Sequence, residues 1–323
     1  MAHLRGYKSF GTIPSASGAA IAALKARAAA WDVPLIETAD HLILSVWGCE
    51  LRLTAHSDSM SVDLSAPEQR LIGNLRDSAT ELFAEIGLAI AWDHLDAGAL
   101  APGLSLMQLR DLCQVSPNFI RVRLAGPDAA RFAEGGYHFR LLLPPQGRTA
   151  IWPRVQDNGR VGWPEEKDAL HRAVYTVAAQ SQDWLDFDIF RHAGSPTCDW
   201  TAQQMLGQTV GIIGPGGGGC PNAERIHLFG DETALPAIRR ILTESPARVT
   251  AHLRCHPDDL GALRHDPRVS LSHDLRGDLA DSSVEDGDFI WFAASADESR
   301  LARKDLLARG IARRDMLVAA YWS

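Results

Sequence analysis

A short segment near the middle of the chain combines three kinds of side chain that a phosphate-bearing aromatic cofactor needs. Arg172-Ala173-Val174-Tyr175-Thr176, on a predicted strand, carries a guanidinium, a phenol ring and a hydroxyl. A guanidinium binds phosphate, an aromatic ring lies against isoalloxazine, and a hydroxyl reaches the ring's N5, so this segment is a candidate flavin site. Strand alternation places Arg172 and Tyr175 on opposite faces unless a bulge intervenes. The structural alternative is that Tyr175 packs in the core and Arg172 pairs with Asp186.

A second segment, Gly230–Ile238, follows a predicted strand and opens a predicted helix. This is where backbone N–H groups at a helix N terminus meet a dinucleotide pyrophosphate. Gly230 permits close approach of another group, and Thr233 can act as the helix N-cap. The alternative is a plain capped helix that follows a tight turn.

A third segment, Arg191–Trp200, is followed by the glycine-rich run Gly214–Gly219. A turn with exposed amides and a short helix can cradle the pyrophosphate of the flavin itself. His192 could stack on that group or hydrogen-bond to it. The alternative is that His192 is a surface or structural histidine with no contact to a cofactor.

The elements that must position these segments follow from the periodicity of apolar residues. Residues 1–100 predict a small α+β domain with two long helices and short strands. Residues 101–219 predict six strands with little helix, separated by proline and glycine turns, which indicates a closed antiparallel barrel. Residues 220–323 alternate strands with helices, expected at Leu235–Glu244, Asp258–Leu263 and Glu298–Arg309, which indicates a parallel doubly wound sheet.

Composition narrows the class of protein. Across 323 residues, 32 Lys and Arg stand against 40 Asp and Glu, a net charge of -8, with no basic arm, which disfavours a nucleic-acid-binding protein. Five scattered cysteines without a Cys-x-x-Cys pair predict neither a disulfide framework nor a cysteine-rich metal site, and favour a reducing cytoplasm. No apolar run approaches the ~20 residues of a membrane helix. We expect a cytoplasmic protein, a monomer, with no membrane insertion.

From Leu104 to Trp322 the chain resembles the siderophore-interacting protein family, which comprises FAD-dependent ferric-siderophore reductases. The resemblance implies that the barrel binds FAD, that the parallel sheet binds a nicotinamide nucleotide, and that the fold is ferredoxin reductase-like. A small α+β domain of unclear role precedes this module in some members, as residues 1–97 do here. The strings that carry the resemblance are Val115–Val122, His138–Pro144, Trp163-Pro164, Arg172–Thr176, Gly230–Ile238, Phe289–Ala293 and Tyr321-Trp322.

The resemblance also implies roles for residues. Arg172, Tyr175 and Thr176 would hold the flavin ring and its phosphate. The FAD pyrophosphate and adenine side would be contacted by His192, Thr197 and Trp200. The nicotinamide-nucleotide cleft would be lined by Gly230, Asp231, Glu232, Thr233 and Ala234.

The activity that the resemblance implies passes electrons from NAD(P)H through FAD to a ferric siderophore and releases iron as Fe(II). Such chemistry needs no protein nucleophile and no protein-held metal, and the sequence contains no convincing motif for either. Arg140 is a candidate contact for an anionic chelate, and Arg254 for a chelate or a nucleotide 2′-phosphate. Both could equally be solvated surface arginines. Two alternatives remain: a reductase with a protein partner, and a flavin-bearing protein that binds iron chelates without catalysis.

Overall fold

The computed structural model describes residues 5–15, 18–46, 48–203 and 205–322. The chain divides into two compact units. The first unit comprises residues 1–104 and 147–170, and the second comprises residues 105–146 and 171–323. None of the helices in these described ranges is long and apolar enough to cross a membrane.

The first unit is built on an antiparallel sheet with strand order β2-β3-β4-β5-β1-β6. Alternate residues of its strands are buried, and helix α1 adds a stripe of small apolar residues at helical spacing, Ala20, Leu24 and Ala28. The predicted α+β character is therefore confirmed, with β1 as a strand that the sequence did not indicate. The elements are β1 (Tyr7–Ile13), α1 (Gly18–Trp31), β2 (Leu35–Glu37), β3 (His41–Val46), β4 (Cys49–Ala55), β5 (Met60–Ala66), α2 (Gln69–Ala84) and β6 (Ala91–Trp92).

Residues 147–170 lie in the first unit, although the sequence-based division places them in the barrel domain. They contain a short hairpin that is held by polar contacts to α2. The backbone N–H of Val161 donates to Asp77 over 2.8 Å, and the Arg160 guanidinium pairs with Asp77 and Glu81 at 3.2 and 3.0 Å. These contacts are between residues about 80 positions apart, which local patterns do not reveal.

The barrel of the second unit is closed, with strand order β12-β13-β8-β7-β14-β9 among the described residues. It confirms the six-stranded antiparallel barrel that the sequence predicts. Its interior is filled by large apolar side chains such as Phe139, Leu141 and Phe187. The strands are β7 (Leu104–Ser116), β8 (Phe119–Ala125), β9 (His138–Leu143), β12 (His171–Gln180), β13 (Trp184–Phe190) and β14 (Thr209–Gly216); the hairpin of the first unit is β10 (Arg154–Val155) and β11 (Val161–Gly162), and the short helix before β14 is α3 (Pro196–Ala202).

The rest of the second unit is a parallel sheet with strand order β17-β16-β15-β18-β19 among the described residues. The chain leaves β15 toward one edge and leaves β18 toward the other, so the carboxyl ends of these neighbours form a topological switch point, where such sheets bind ligands. The parallel-sheet prediction is confirmed. The elements are β15 (Arg225–Asp231), α4 (Leu235–Glu244), β16 (Arg248–Arg254), β17 (Val269–Leu271), α5 (Leu275–Asp281), β18 (Asp288–Ser295), α6 (Ala296–Ala308) and β19 (Met316–Trp322).

The helix expected at Asp258–Leu263 is absent from this described stretch. Two short 3₁₀ turns, Pro257–Asp259 and Gly261–His265, take its place. Gly261, the first residue of the second turn, has φ +53°, in the left-handed region that interrupts a regular helix.

Candidate functional site

Strand β12 presents its first residues in regular alternation. Its register with β9 is unbroken from His171 opposite Leu143 to Thr176 opposite His138, and its pairing with β13 shifts only later, after Val177. No bulge therefore separates Arg172 from Tyr175, and the two lie on opposite faces, as alternation predicts.

On one face of β12, Arg172 is exposed and Val174 keeps 59 % of its surface exposed. Thr176, on the same face, is buried. The cation can bind a phosphate, the uncovered apolar side chain can lie against a flat ring, and the hydroxyl can hydrogen-bond to the polar edge of that ring. These residues therefore fit a flavin.

Tyr175 packs against the barrel interior. Its ring lies 5.0 Å from that of Phe187 and 6.4 Å from that of Phe139, centroid to centroid. Burial raises the pKa of Tyr175 to about 12, against the effect of a side-chain hydrogen bond with Thr197. Tyr175 therefore packs in the core, as the structural alternative proposes. Asp186, the partner that this alternative gives to Arg172, forms a bidentate ion pair with Arg123, with both contacts at 2.7 Å.

Thr176 is linked to the last strand of the sheet through a histidine. The Thr176 Oγ1 lies 3.1 Å from His138 Nδ1, and the Tyr321 hydroxyl lies 3.2 Å from His138 Nε2. Burial, together with the nearby Arg240 charge, lowers the pKa of His138 to about 4, so the imidazole is neutral near pH 7. Sequence reasoning assigned no role to His138 or Tyr321; the signal available was the pairing of the strand His138–Leu143 with the strand that carries Thr176.

The loop before β14 holds the three residues predicted at the FAD pyrophosphate and adenine. His192 is exposed and stacks on Phe190, with ring centroids 6.3 Å apart. Thr197 is buried in α3, and its Oγ1 lies 3.1 Å from His171 Nε2. Trp200 is buried in the barrel core, where its Nε1 donates to a glutamine at 2.7 Å. The three therefore differ in access: His192 faces solvent, and the other two are packed inside.

Gly230 is needed by the fold itself. A Cβ at this position would come within 2.7 Å of both Ala234 Cβ and Ile238 Cδ1. The groups that approach Gly230 closely therefore come from the chain itself: Ala234 in the turn after β15 and Ile238 in helix α4. Ala234 is fully buried in the same contact.

Asp231, and not Thr233, caps the turn after β15. Its Oδ1 accepts from the Thr233 backbone N–H at 3.0 Å and from the Thr233 hydroxyl at 2.5 Å. The expected cap at Thr233 is thus wrong, because the residues Glu232–Ala234 form a 3₁₀ turn and α4 begins only at Leu235. Burial raises the pKa of Glu232, which lies in that turn.

The two candidate substrate arginines have different surroundings. Arg254, at the end of β16 next to Asp231, forms a bidentate pair with Glu298 at 2.6 and 2.7 Å. It is therefore an ion-paired arginine and not a solvated one. Arg140 is exposed on β9, opposite Val174 of β12, and within the described residues no hydrogen bond or ion pair engages its side chain.

A cavity of about 350 Å³ lies elsewhere in the second unit, between α4 and the outside of the barrel. Its lining includes Arg121, Val177, Asp188 and Arg239, and none of the predicted site residues borders it. The candidate flavin and nucleotide residues are therefore separate from this cavity. Within the described residues, no group of three or more His, Cys, Asp and Glu side chains is placed to hold a metal ion.

Comparison with models of known protein families identifies the family of this chain. The model of the siderophore-interacting FAD-binding domain matches residues 108–219, and the model of the siderophore-interacting protein matches residues 223–323. The chain belongs to the siderophore-interacting protein family. The family prediction and the FAD cofactor are thereby confirmed, and the FAD-binding match contains Arg172, Tyr175 and Thr176.

Relatives of this family member include the ferric vibriobactin reductase ViuB of Vibrio cholerae. It is 34% identical over 157 residues, which cover 45% of this chain and 56% of ViuB, so the match spans about half the length of that relative.

Solved structures of siderophore-interacting proteins share the fold. A siderophore utilization protein from T. fusca aligns with a TM-score of 0.57 and 27% identity, covering 68% of this chain and 92% of the other. The siderophore-interacting protein SipS from Aeromonas hydrophila aligns with a TM-score of 0.55 and 23% identity, covering 68% and 91%.

Proposed function

We propose that this protein is a flavin-dependent oxidoreductase that passes electrons from NAD(P)H through FAD to a ferric siderophore and releases iron as Fe(II). The observation that carries the proposal is one face of β12 inside a siderophore-interacting FAD-binding domain, where Arg172 and Val174 are exposed and Thr176 is buried beside them. The alignment with a ferric vibriobactin reductase supports the choice of acceptor.

The barrel residues would bind and orient the cofactor. Arg172 would hold a phosphate by charge-assisted hydrogen bonds, and the Thr176 hydroxyl would meet the polar edge of the ring. Ser195 accepts from the Cys198 backbone N–H, which fixes the start of α3 beside His192 for a pyrophosphate contact. FAD supplies the exchange between the two-electron hydride of a nicotinamide and the single electrons that iron accepts.

The switch point of the parallel sheet would bind the nicotinamide nucleotide. Gly230 has no side chain, and the Asp231 carboxylate is committed to capping the turn. Contact with the nucleotide would therefore fall to the backbone and to Glu232 and Thr233, which are partly exposed. Arg254 stands beside this turn, but Glu298 already neutralises it. A 2′-phosphate would have to compete with that carboxylate, which makes Arg254 a modest determinant of NADPH preference.

The ferric chelate would be bound by electrostatic attraction, and its iron would be released when Fe(III) is reduced to Fe(II). Fe(III) prefers hard oxygen donors, and reduction to Fe(II) weakens such complexes without destroying the chelator. Arg140, exposed opposite Val174, would attract an anionic chelate to the edge of the flavin site.

We further propose that the protein acts as a monomer in the cytoplasm. All proposed cofactor and substrate residues lie within one compact unit of one chain, so a second copy is not required. The net charge of -8 disfavours nucleic-acid partners. The use of NAD(P)H and the presence of cysteines as free thiols both fit the reducing cytoplasm. Sedimentation at micromolar concentration tests the expected monomer.

The direct test is iron reduction in steady state. FAD-loaded protein is mixed anaerobically with NADPH or NADH, ferric vibriobactin or ferric citrate, and ferrozine as a colorimetric trap for Fe(II). We expect Fe(II) to form at a rate proportional to protein concentration and faster than with free FAD. Nucleotide oxidation that proceeds with artificial acceptors but not with ferric chelates would instead indicate a reductase with a protein partner.

A further inference from the structure

Three side chains from three strands form one hydrogen-bonded line in the second unit. Thr176 of β12 contacts His138 of β9 at Nδ1, and Tyr321 of β19 contacts the same imidazole at Nε2, over 3.1 and 3.2 Å. The Tyr321 ring stands edge-on to the imidazole, with centroids 5.7 Å apart and planes at 88°. The line therefore joins a hydroxyl of the FAD-binding barrel to the last strand of the parallel sheet.

The histidine at its centre has little freedom to move. A Cβ on Gly217 would lie 2.6 Å from His138 Cδ2, so the glycine-rich segment closes over one side of the ring. The ring is also held from both of its nitrogens. Burial and the Arg240 charge keep it neutral near pH 7, and burial raises the pKa of Tyr321 above its ordinary value, so the phenol keeps its proton.

A neutral imidazole carries one N–H, so His138 donates at one nitrogen and accepts at the other. If Nε2 carries the proton, it donates to the Tyr321 oxygen, and Nδ1 accepts the Thr176 proton. If Nδ1 carries the proton, it donates to Thr176 Oγ1, and Nε2 accepts from Tyr321. The tautomer thus decides whether Thr176 can offer its own O–H to a ligand.

The hydroxyl of Tyr321 selects between these arrangements. Among the residues that the structure describes, His138 Nε2 is the hydrogen-bond partner found for that hydroxyl. In the first arrangement the partly buried phenol proton would lack a protein acceptor, which costs free energy. In the second, Tyr321, His138 and the Thr176 oxygen are all satisfied, and the Thr176 proton alone is left for a ligand.

We infer that Tyr321 holds His138 in the Nδ1–H tautomer, and that His138 thereby makes Thr176 a hydrogen-bond donor toward an acceptor atom on the flavin ring. His138 and Tyr321 are positioning residues, and they act on the cofactor only through Thr176. The inference rests on the proposed placement of FAD against Thr176.

The tautomer is read without any cofactor. Protein labelled with ¹⁵N-histidine is freed of FAD, and its nitrogen shifts are recorded between pH 5.5 and 8; the His138 signals are assigned by their loss in His138→Gln. We expect a protonated Nδ1 and an unprotonated Nε2 throughout. Tyr321→Phe, which keeps the ring, should introduce the other tautomer. A protonated Nε2 in the unmodified protein would overturn the inference.

The action through Thr176 is read from FAD dissociation constants in a double-mutant cycle. Thr176→Val should weaken FAD binding about three- to tenfold, the value of one hydrogen bond, while Thr176→Ser should restore it. Tyr321→Phe should weaken binding by a smaller factor alone and by none in the Thr176→Val background. An equal factor in both backgrounds would mean a purely structural role for Tyr321 and would contradict the inference.

A matched control is available in the parallel sheet. His227 Nδ1 also lies 3.1 Å from a threonine hydroxyl, that of Thr250, and His227→Gln should leave FAD affinity unchanged. The failures are distinguishable. If FAD does not bind at all, the proposed function fails while the tautomer result stands. If FAD binds and Nε2 carries the proton, only this inference fails.

Discussion

The indole N–H of Trp322 donates to Asp231 Oδ2 over 2.7 Å, which ties the end of β19 to the turn after β15. The other carboxylate oxygen is held by the backbone N–H and hydroxyl of Thr233. Both oxygens of this fully buried carboxylate are thus engaged within the protein. The shape of the turn at the switch point is therefore set by the chain and is already formed before a nucleotide arrives.

Removal of the Arg172 guanidinium should weaken FAD binding. Arg172→Ala deletes one charge-assisted phosphate contact, worth on the order of 1.5–3 kcal/mol, or roughly ten- to hundredfold in the dissociation constant. Fluorescence titration of the FAD-free protein measures it. Arg110, exposed on β7, supplies the matched control Arg110→Ala, which should bind FAD normally. Unchanged affinity in a folded Arg172→Ala protein would remove this assignment.

A methyl group at Gly230 should destabilise the fold. The added Cβ would lie 2.7 Å from Ala234 and Ile238 side chains, an overpacking expected to cost about 1–3 kcal/mol in the free energy of unfolding. Urea denaturation compares Gly230→Ala with Gly18→Ala, where a Cβ meets nothing within 4 Å. Equal stability of the two variants would show that α4 does not require a glycine there.

Asp259 should make the second unit sensitive to acid. It is fully buried and accepts from the Ser116 hydroxyl at 2.6 Å and from the Asn118 backbone and side chain at 3.0 and 2.8 Å. Burial of the charge opposes ionisation, but these hydrogen bonds prevail and hold the pKa of Asp259 below its ordinary value. Its stabilising contribution is therefore complete above the unfolded pKa of about 3.9 and is lost as pH falls through the lower folded pKa.

Asp259→Asn should accordingly lower the free energy of unfolding at pH 7 by about 1–3 kcal/mol. The difference from the unmodified protein should begin to shrink below pH 4, where the Asp259 carboxylate of the unfolded chain takes up a proton, and should be lost as pH falls through the lower folded pKa. Urea denaturation at pH 7, 5 and 3.5 measures this. A difference that stays constant across that range would show that ionisation of Asp259 contributes nothing.

The sequence predicted the architecture well because the relevant signals are local. Proline and glycine turns between short apolar runs mark the barrel strands, and alternating strands and helices mark the parallel sheet. At Asp258–Leu263 the apolar spacing indicated a helix, but Pro257 and Gly261 break it into two turns. In the turn that follows Gly230, both Asp231 and Thr233 are residue types that can cap a helix. Only the observed backbone shows that Asp231 is the cap.

The candidate site was predicted only in part, because its connections join distant positions. His138 and Tyr321 are 183 residues apart, and their contact depends on how two sheets meet. Arg172 and Thr176 could be singled out because they share one strand. Gly230 was predicted to allow the close approach of another group, and the groups that approach it are the chain's own Ala234 and Ile238.

The charge at position 140 should control the affinity for anionic chelates. Arg140→Glu should raise the KM for anionic ferric chelates much more than for neutral ones, by more than the ~0.2–1 kcal/mol of a screened surface charge if the contact is desolvated. An effect that fades as salt is added indicates long-range steering. Steady-state iron reduction measures both, with Arg110→Glu as control. Equal changes for neutral and anionic chelates would exclude Arg140 from substrate binding.

The measurement that tests the central claim most directly is an anaerobic visible spectrum taken in two stages. Addition of NADPH or NADH to the FAD-loaded protein should bleach the flavin absorbance. Titration with a ferric siderophore should then restore it with about two ferric ions consumed per flavin, because each iron accepts one electron. Bleaching without restoration by any ferric chelate, or absorbance that neither nucleotide bleaches, would contradict the account.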